Sequence, residues 1–111
     1  MSYVYFITDN HGHIKIGKAN DTMARLRELQ TGNPYKLTPI LSLWMETEEM
    51  AFNLENAIHK HLRNFQMEGE WFRAAPVMQL IDQEIVTVGK YKFGGLKYIR
   101  QEKGPRETLG R

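Results

Sequence analysis

The chain contains no cysteine among its 111 residues. Disulfide scaffolds, thiolate zinc sites and cysteine nucleophiles are therefore excluded, so any metal ion has to be held by oxygen or imidazole ligands. The sequence also lacks a run of ~18 apolar residues, and its N-terminus has no basic segment followed by an apolar stretch. These absences predict a cytoplasmic protein that is not secreted and has no membrane partner.

The net charge of the chain is also small, because 15 Lys and Arg residues are nearly balanced by 13 Asp and Glu residues. The charges are unevenly placed, however: residues 88–111 carry 7 basic residues and 2 acidic ones, whereas residues 1–87 carry 8 and 11. The chain length suits one compact domain. We predict a folded domain over residues 1–87, followed by a basic tail or β-hairpin over residues 88–111. Such a tail either meets a polyanion or only adds solubility.

Periodic apolar residues predict the main elements of the fold. Residues 3–8 and 13–17 flank an Asn- and Gly-containing turn and predict a β-hairpin, and residues 37–45 predict a third, buried strand. Between them a helix is expected from about Thr22 to Gln30, with Asn20 or Asp21 as its N-cap. The expected architecture is α/β (α+β), with a small, mainly antiparallel three-stranded sheet flanked by helices.

Two further helices are predicted after the third strand. Thr47 should cap a long helix that runs to about residue 65, and Pro76 should open a last helix that runs to about residue 86. The apolar stripe of the long helix consists of Ala51, Leu54, Ile58, Leu62 and Phe65. Glu55 lies roughly 60° from the centre of that stripe, which places it at the edge of the core.

These elements, in this order, resemble the GIY-YIG nuclease superfamily, with Val4-Tyr5-Phe6 and Lys15-Ile16-Gly17 in the places of its two motifs. Residues 14–17, 29–34, 55–59 and 69–72 are similar to its phage-associated DNA-binding branch, which also occurs in meiotically upregulated fungal proteins. The resemblance covers about residues 3–73. It departs from the usual pattern at Lys15, where most members have tyrosine, and at Tyr3, where the first motif has glycine.

The resemblance implies a metal-dependent DNA endonuclease and assigns a role to each matching position. Tyr5 would be the general base, and because a free tyrosine has a pKa near 10, a nearby cation such as Lys15 has to favour the phenolate. Arg25 would stabilise the phosphoryl transition state. Glu55 would bind Mg²⁺ or Mn²⁺. His59 follows Glu55 by four residues and is expected to be its partner or a second base.

Basic residues outside that group are candidates for contacts with the DNA backbone: Lys18, Arg27, Lys36, Lys90, Lys92, Lys97 and Arg100. A Gly94-Gly95 turn predicts a ribbon in which Lys92 faces Lys97. No nucleotide cofactor is expected, because Gly17-Lys18 lacks the glycine-rich phosphate loop. The alternative function is a DNA-binding module of the same fold that cuts weakly or not at all, and a third is an adaptor associated with RNA or nucleoprotein. Oligomeric state does not follow from the sequence.

Overall fold

The computed structural model describes residues 1–84 and 86–99 of the chain. The elements are β1 (Ser2–Thr8), β2 (His13–Ala19), α1 (Thr22–Gln30), β3 (Thr38–Met45), α2 (Glu48–His61), β4 (Trp71–Arg73), α3 (Ala74–Asp82), β5 (Val86–Val88) and β6 (Tyr91–Phe93). Short 3₁₀ turns lie at Arg63–Phe65 and Leu96–Tyr98. The α+β prediction is therefore confirmed. None of the helices in the described ranges is both long and apolar enough to span a bilayer.

The main sheet is antiparallel, with strand order β3-β1-β2-β4. It has four strands, so the prediction of three was wrong. The additional strand, β4, is only three residues long. The sequence indicated a short extended segment over residues 69–72 but not its place in the sheet, because the pairing of β4 with β2 is a tertiary contact.

Strand register decides which side chains share a face of the sheet. Tyr5 pairs with Gly17 and Ile7 pairs with Lys15, so Tyr5 and Lys15 point to the same face. On the other edge of β2, Lys15 pairs with Trp71, and the Ile16 amide donates to the carbonyl of Glu70. Strand β4 begins at Trp71, so it does not cover the edge of β2 from Gly17 onwards.

Helices pack on both faces of the sheet. On one face, α2 buries its apolar stripe against residues of β1, β2, β3 and β4: Val4, Phe6, Ile14, Ile16, Leu43 and Phe72. On the other face, Leu26 and Leu29 of α1 pack against a smaller cluster of Tyr5, Ile7 and Leu37. The candidate residues therefore approach the sheet from two separate layers.

Side chains cap the first two helices as the sequence predicted. Asp21 accepts from the Ala24 amide at the start of α1, and Thr47 accepts from the Met50 amide at the start of α2. Phe65 was wrongly placed in the apolar stripe. Helix α2 ends at His61, and the following 3₁₀ turn leaves Phe65 40% exposed.

The last helix starts and ends earlier than predicted. It spans Ala74–Asp82 rather than residues 76–86, because Val86 belongs to β5. Strand β5 alternates buried Val86 and Val88 with exposed Thr87, which is the pattern of a half-buried strand.

The predicted ribbon around Gly94-Gly95 was also wrong. Strands β5 and β6 form a hairpin whose turn is Gly89-Lys90, in which Gly89 adopts a positive φ of 59° that suits glycine. Lys92 pairs with Thr87 and not with Lys97, which lies in a 3₁₀ turn. Val88 and Leu96 are buried in the core under α2, so this part of the predicted tail packs against the domain. Arg100 and the residues after it lie outside the described residues.

Candidate active site at the edge of β2

The candidate catalytic residues meet where the edge of β2 is left open. Tyr5 and Lys15 come from the sheet, Arg25 from α1 and Glu55 from α2. Because β4 pairs with β2 only as far as Lys15 and leaves Gly17 uncovered, side chains from the two helical layers can meet around this edge. Four positions that are far apart in sequence are thereby brought into one electrostatically coupled group.

Gly17 allows the Tyr5 side chain to lie directly across β2. Tyr5 is 1% exposed. A Cβ atom at position 17 would lie 2.5 Å from Tyr5 Cζ, closer still to the Tyr5 hydroxyl oxygen, and 2.9 Å from Oε1 of Glu70. Only glycine leaves room for these two side chains, so its role here is close approach and not a special φ angle.

Arg25 provides the cation that contacts Tyr5. Its interaction with the Tyr5 hydroxyl is the main reason that the pKa of Arg25 is raised. Arg25 Nη1 also lies 3.0 Å from Oε1 of Glu28, one helical turn later. Glu28 contacts the guanidinium on its exposed side, and the guanidinium interacts with the Tyr5 hydroxyl on the other side.

Tyr5 nevertheless keeps its proton more firmly than free tyrosine does. Burial raises its pKa, the hydrogen bond from Arg25 lowers it, and the negative charge of Glu70 raises it again. The sequence led us to expect that Lys15 would favour the phenolate. Instead, Lys15 Nζ lies 3.2 Å from Oε1 of Glu70, and its ammonium group is largely compensated there.

Glu55 and Glu70 form a pair of carboxyl groups beside this edge. Glu55 is 8% exposed, and burial together with the charge of Glu70 raises its pKa to about 7. The nearby Glu70 carboxylate disfavours a second negative charge, so Glu55 holds its proton more firmly than a free glutamate does. Lys18 and Lys15 lower the Glu55 pKa but do not offset these effects.

His59 holds the Glu55 side of the site to the strand. Its Nε2 lies 2.8 Å from the carbonyl of Ile16 and therefore donates to it. The same nitrogen lies 3.9 Å from Oε2 of Glu55, and the ring packs against Phe72. Since Nε2 is engaged with a backbone carbonyl, the contacts favour the role of partner to Glu55 over that of a second base.

The carboxyl pair suits a hard divalent cation. Mg²⁺ is commonly bound by one or two carboxylates, with water and substrate phosphate as its other ligands. A divalent cation between Glu55 and Glu70 would offset the repulsion between their charges. Within the described ranges, no cluster of three His, Asp or Glu side chains offers a complete protein cage. The residues fit a magnesium or manganese ion shared with substrate.

The candidate DNA-binding residues are spread over the surface. Lys18 is half-buried and faces the Glu55 side, while Arg27 and Lys36 are exposed. Lys90, Lys92 and Lys97 are exposed on the C-terminal segment. The structure therefore brings only Lys18 next to the candidate active site among the described members of this group.

Glu70 is the residue that the sequence did not single out. The Gly69-Glu70-Trp71-Phe72 segment was noted, but its glutamate was given no role. Gly69 adopts a positive φ of 61°, and the turn places Glu70 beside Gly17 and Lys15. The Gly69-Glu70 pair immediately before a strand was the signal in the sequence. It could be interpreted only once the pairing of that strand with β2 was known.

The raised pKa of Glu55 predicts how stability depends on pH. Between its ordinary value of 4.5 and about 7, the unfolded chain loses this proton first, so the folded state binds more protons. The stabilisation is present at low pH and is lost as pH rises through about 7, by at most about 1.4 kcal/mol per pH unit. Thermal denaturation from pH 5 to 8 should show Glu55→Gln gaining stability relative to wild type as pH rises.

Glu49→Gln is the matched control, because Glu49 is an exposed glutamate of the same helix. Its melting temperature should run parallel to that of wild type over this range. Parallel curves for Glu55→Gln and wild type would contradict the raised pKa of the buried Glu55 carboxyl group.

Comparison with known proteins gives one finding on the family. No curated protein and no solved structure matches the chain. A family model matches residues 2–87, and it is described as the T5orf172 domain.

Proposed function

Because the chain belongs to the phage-associated T5orf172 domain family, we propose that it is a metal-dependent DNA endonuclease of the GIY-YIG type. The observation that carries this proposal is the convergence of Arg25 and Glu55 on Tyr5, whose hydroxyl lies against Gly17. A phenol, a guanidinium and a carboxylate at one open strand edge supply a proton acceptor, an anion ligand and a metal ligand.

Each side chain has a distinct task in the proposed hydrolysis. The oxygen of deprotonated Tyr5 takes the proton of the attacking water, and Arg25 stabilises the phenolate through their hydrogen bond. The remaining N–H groups of Arg25 can donate to a non-bridging phosphate oxygen as negative charge develops. His59 keeps Glu55 beside the strand through its bond to Ile16.

Glu55 and Glu70 would hold the cation, with Glu70 also fixing the position of Lys15. A bound Mg²⁺ or Mn²⁺ supplies stabilisation of the leaving 3′ oxygen and offsets the carboxylate charge that raises the Tyr5 pKa. Lys15 then stands within reach of the phosphate as a fixed charge, in the place where other superfamily members have tyrosine.

Two observations favour a second candidate, a DNA-binding module that cuts weakly or not at all. The pKa of Tyr5 is raised by burial, and Lys15 is paired with Glu70 instead of with Tyr5. Both features weaken the general base unless a cation neutralises the carboxyl pair. The two candidates differ in cleavage and not in binding.

Supercoiled plasmid separates the two functions. With Mg²⁺ or Mn²⁺ we expect conversion to the nicked circle, and with EDTA we expect none, because the carboxyl pair needs its cation. Tyr5→Phe removes only the hydroxyl and should nick at least about 100-fold more slowly. A shift of plasmid mobility without nicking, in wild type at every metal concentration, would instead establish the binding module.

A further inference from the structure

A polar cavity lies on the outer side of α2. It has a volume of about 490 Å³ and is bounded by α2 and by the turn between β5 and β6. Val88 is buried in the main core, and the turn at Gly89 rests against Ala57 of α2. This packing fixes the position of Lys90, the second residue of the turn, beside the helix.

The polar side chains that line the cavity are cationic or neutral. Its polar side chains are two lysines, one histidine and two asparagines, namely Lys60, Lys90, His61, Asn53 and Asn56. No carboxylate is among the described residues that line it. Two ammonium groups beside one cavity repel each other unless an anion lies between them. In the described part of the chain, these five side chains make no hydrogen bond or ion pair, so their donors are available to a ligand.

The cavity and the candidate active site lie on different sides of α2. Lys60 follows Glu55 by five residues, which corresponds to about 140° around the helix and ~7.5 Å along it. Glu55 faces the sheet, whereas Lys60 and Asn56 are exposed. A single phosphate therefore cannot contact both places.

We propose that this cavity binds a backbone phosphate of the nucleic acid, on a segment separate from the one at Tyr5 and Glu55. Lysine ammonium and asparagine amide groups donate to phosphate oxygens, and the described lining residues include no Phe, Tyr or Trp side chain for base stacking. Binding here is therefore independent of base sequence. The proposal rests on the nucleic-acid partner proposed above but not on cleavage.

The salt dependence of binding measures the contact. Affinity of the full chain for a fluorescent DNA duplex is measured between 50 and 200 mM salt, with Lys60→Gln, Lys90→Gln and the double variant. Loss of one phosphate contact should make the log–log slope less steep by about 0.9. Arg73→Gln removes one positive charge from an exposed residue of β4 that does not line the cavity, and it serves as the matched control.

A second measurement maps the ligand to the cavity. In ¹H–¹⁵N spectra, inorganic phosphate should shift the amide signals of Asn53, Asn56, Lys60 and Lys90 in wild type but not in the double variant. An unchanged salt slope in the double variant, or an equal change in Arg73→Gln, overturns the inference. Phosphate binding with an unchanged DNA slope also overturns it, because the cavity would then serve a free phosphate ligand. Absence of any DNA binding by wild type would instead refute the proposed function.

Discussion

Replacing Glu55 with glutamine should abolish most plasmid nicking while leaving the fold and DNA binding in place. Glutamine has nearly the same shape and keeps a polar group beside Glu70, but it carries no charge to hold a divalent cation. We expect the nicking rate to fall on the order of 10²–10³-fold, comparable with the loss of one electrostatic contact to a transition state. Rates with Mg²⁺ and Mn²⁺ at saturating plasmid measure this.

DNA affinity separates the catalytic effect from a binding effect. Removal of a negative charge near the substrate should leave affinity unchanged or make it slightly tighter. Glu49→Gln, the exposed glutamate of the same helix, should nick at the wild-type rate. Wild-type nicking by Glu55→Gln would remove Glu55 from the proposed metal site, whereas loss of both nicking and folding would make the variant unsuitable and call for Glu55→Asp.

The sequence predicted those parts of the fold that depend on local pattern. Helix α1 was correct at both bounds, because Asp21 caps it and a Gly-Asn-Pro segment follows it. Strands β1, β2 and β3 were recognised from β-branched and aromatic runs. The errors occurred at β4, β5 and β6, which have three residues each and are defined by their pairing partners. Phe65 was misplaced because periodicity does not report where a helix ends.

The sequence predicted which residues come together at the candidate site, but not the electrostatic interactions between them. The resemblance to a nuclease superfamily supplied Tyr5, Arg25 and Glu55, and hairpin register was enough to place Tyr5 and Lys15 on one face. It could not show that Glu70 would pair with Lys15 and raise the pKa of Glu55. Those contacts depend on how the turn before β4 meets the edge of β2, which is a tertiary property.

Gly17→Ala should cost both stability and activity, because the added methyl group meets the Tyr5 ring and its hydroxyl. A Cβ atom 2.5 Å from Tyr5 Cζ is far inside van der Waals contact, and Tyr5 is buried and cannot move aside freely. Overpacking of this kind typically costs about 1–3 kcal/mol. For a domain of this size that lowers the melting temperature by at least about 4 °C. Displacement of the hydroxyl from Arg25 should also reduce nicking.

Gly94→Ala is the matched control, because a Cβ atom there has no neighbour within 4 Å. It should leave the melting temperature and the nicking rate close to wild type. A double-mutant cycle identifies the clash partner: with Tyr5→Ala already present, Gly17→Ala should destabilise the protein much less than it does alone. Additive effects of the two substitutions would show that the Tyr5 ring does not rest on Gly17. The proposed positioning of the general base at this strand edge would then have to be abandoned.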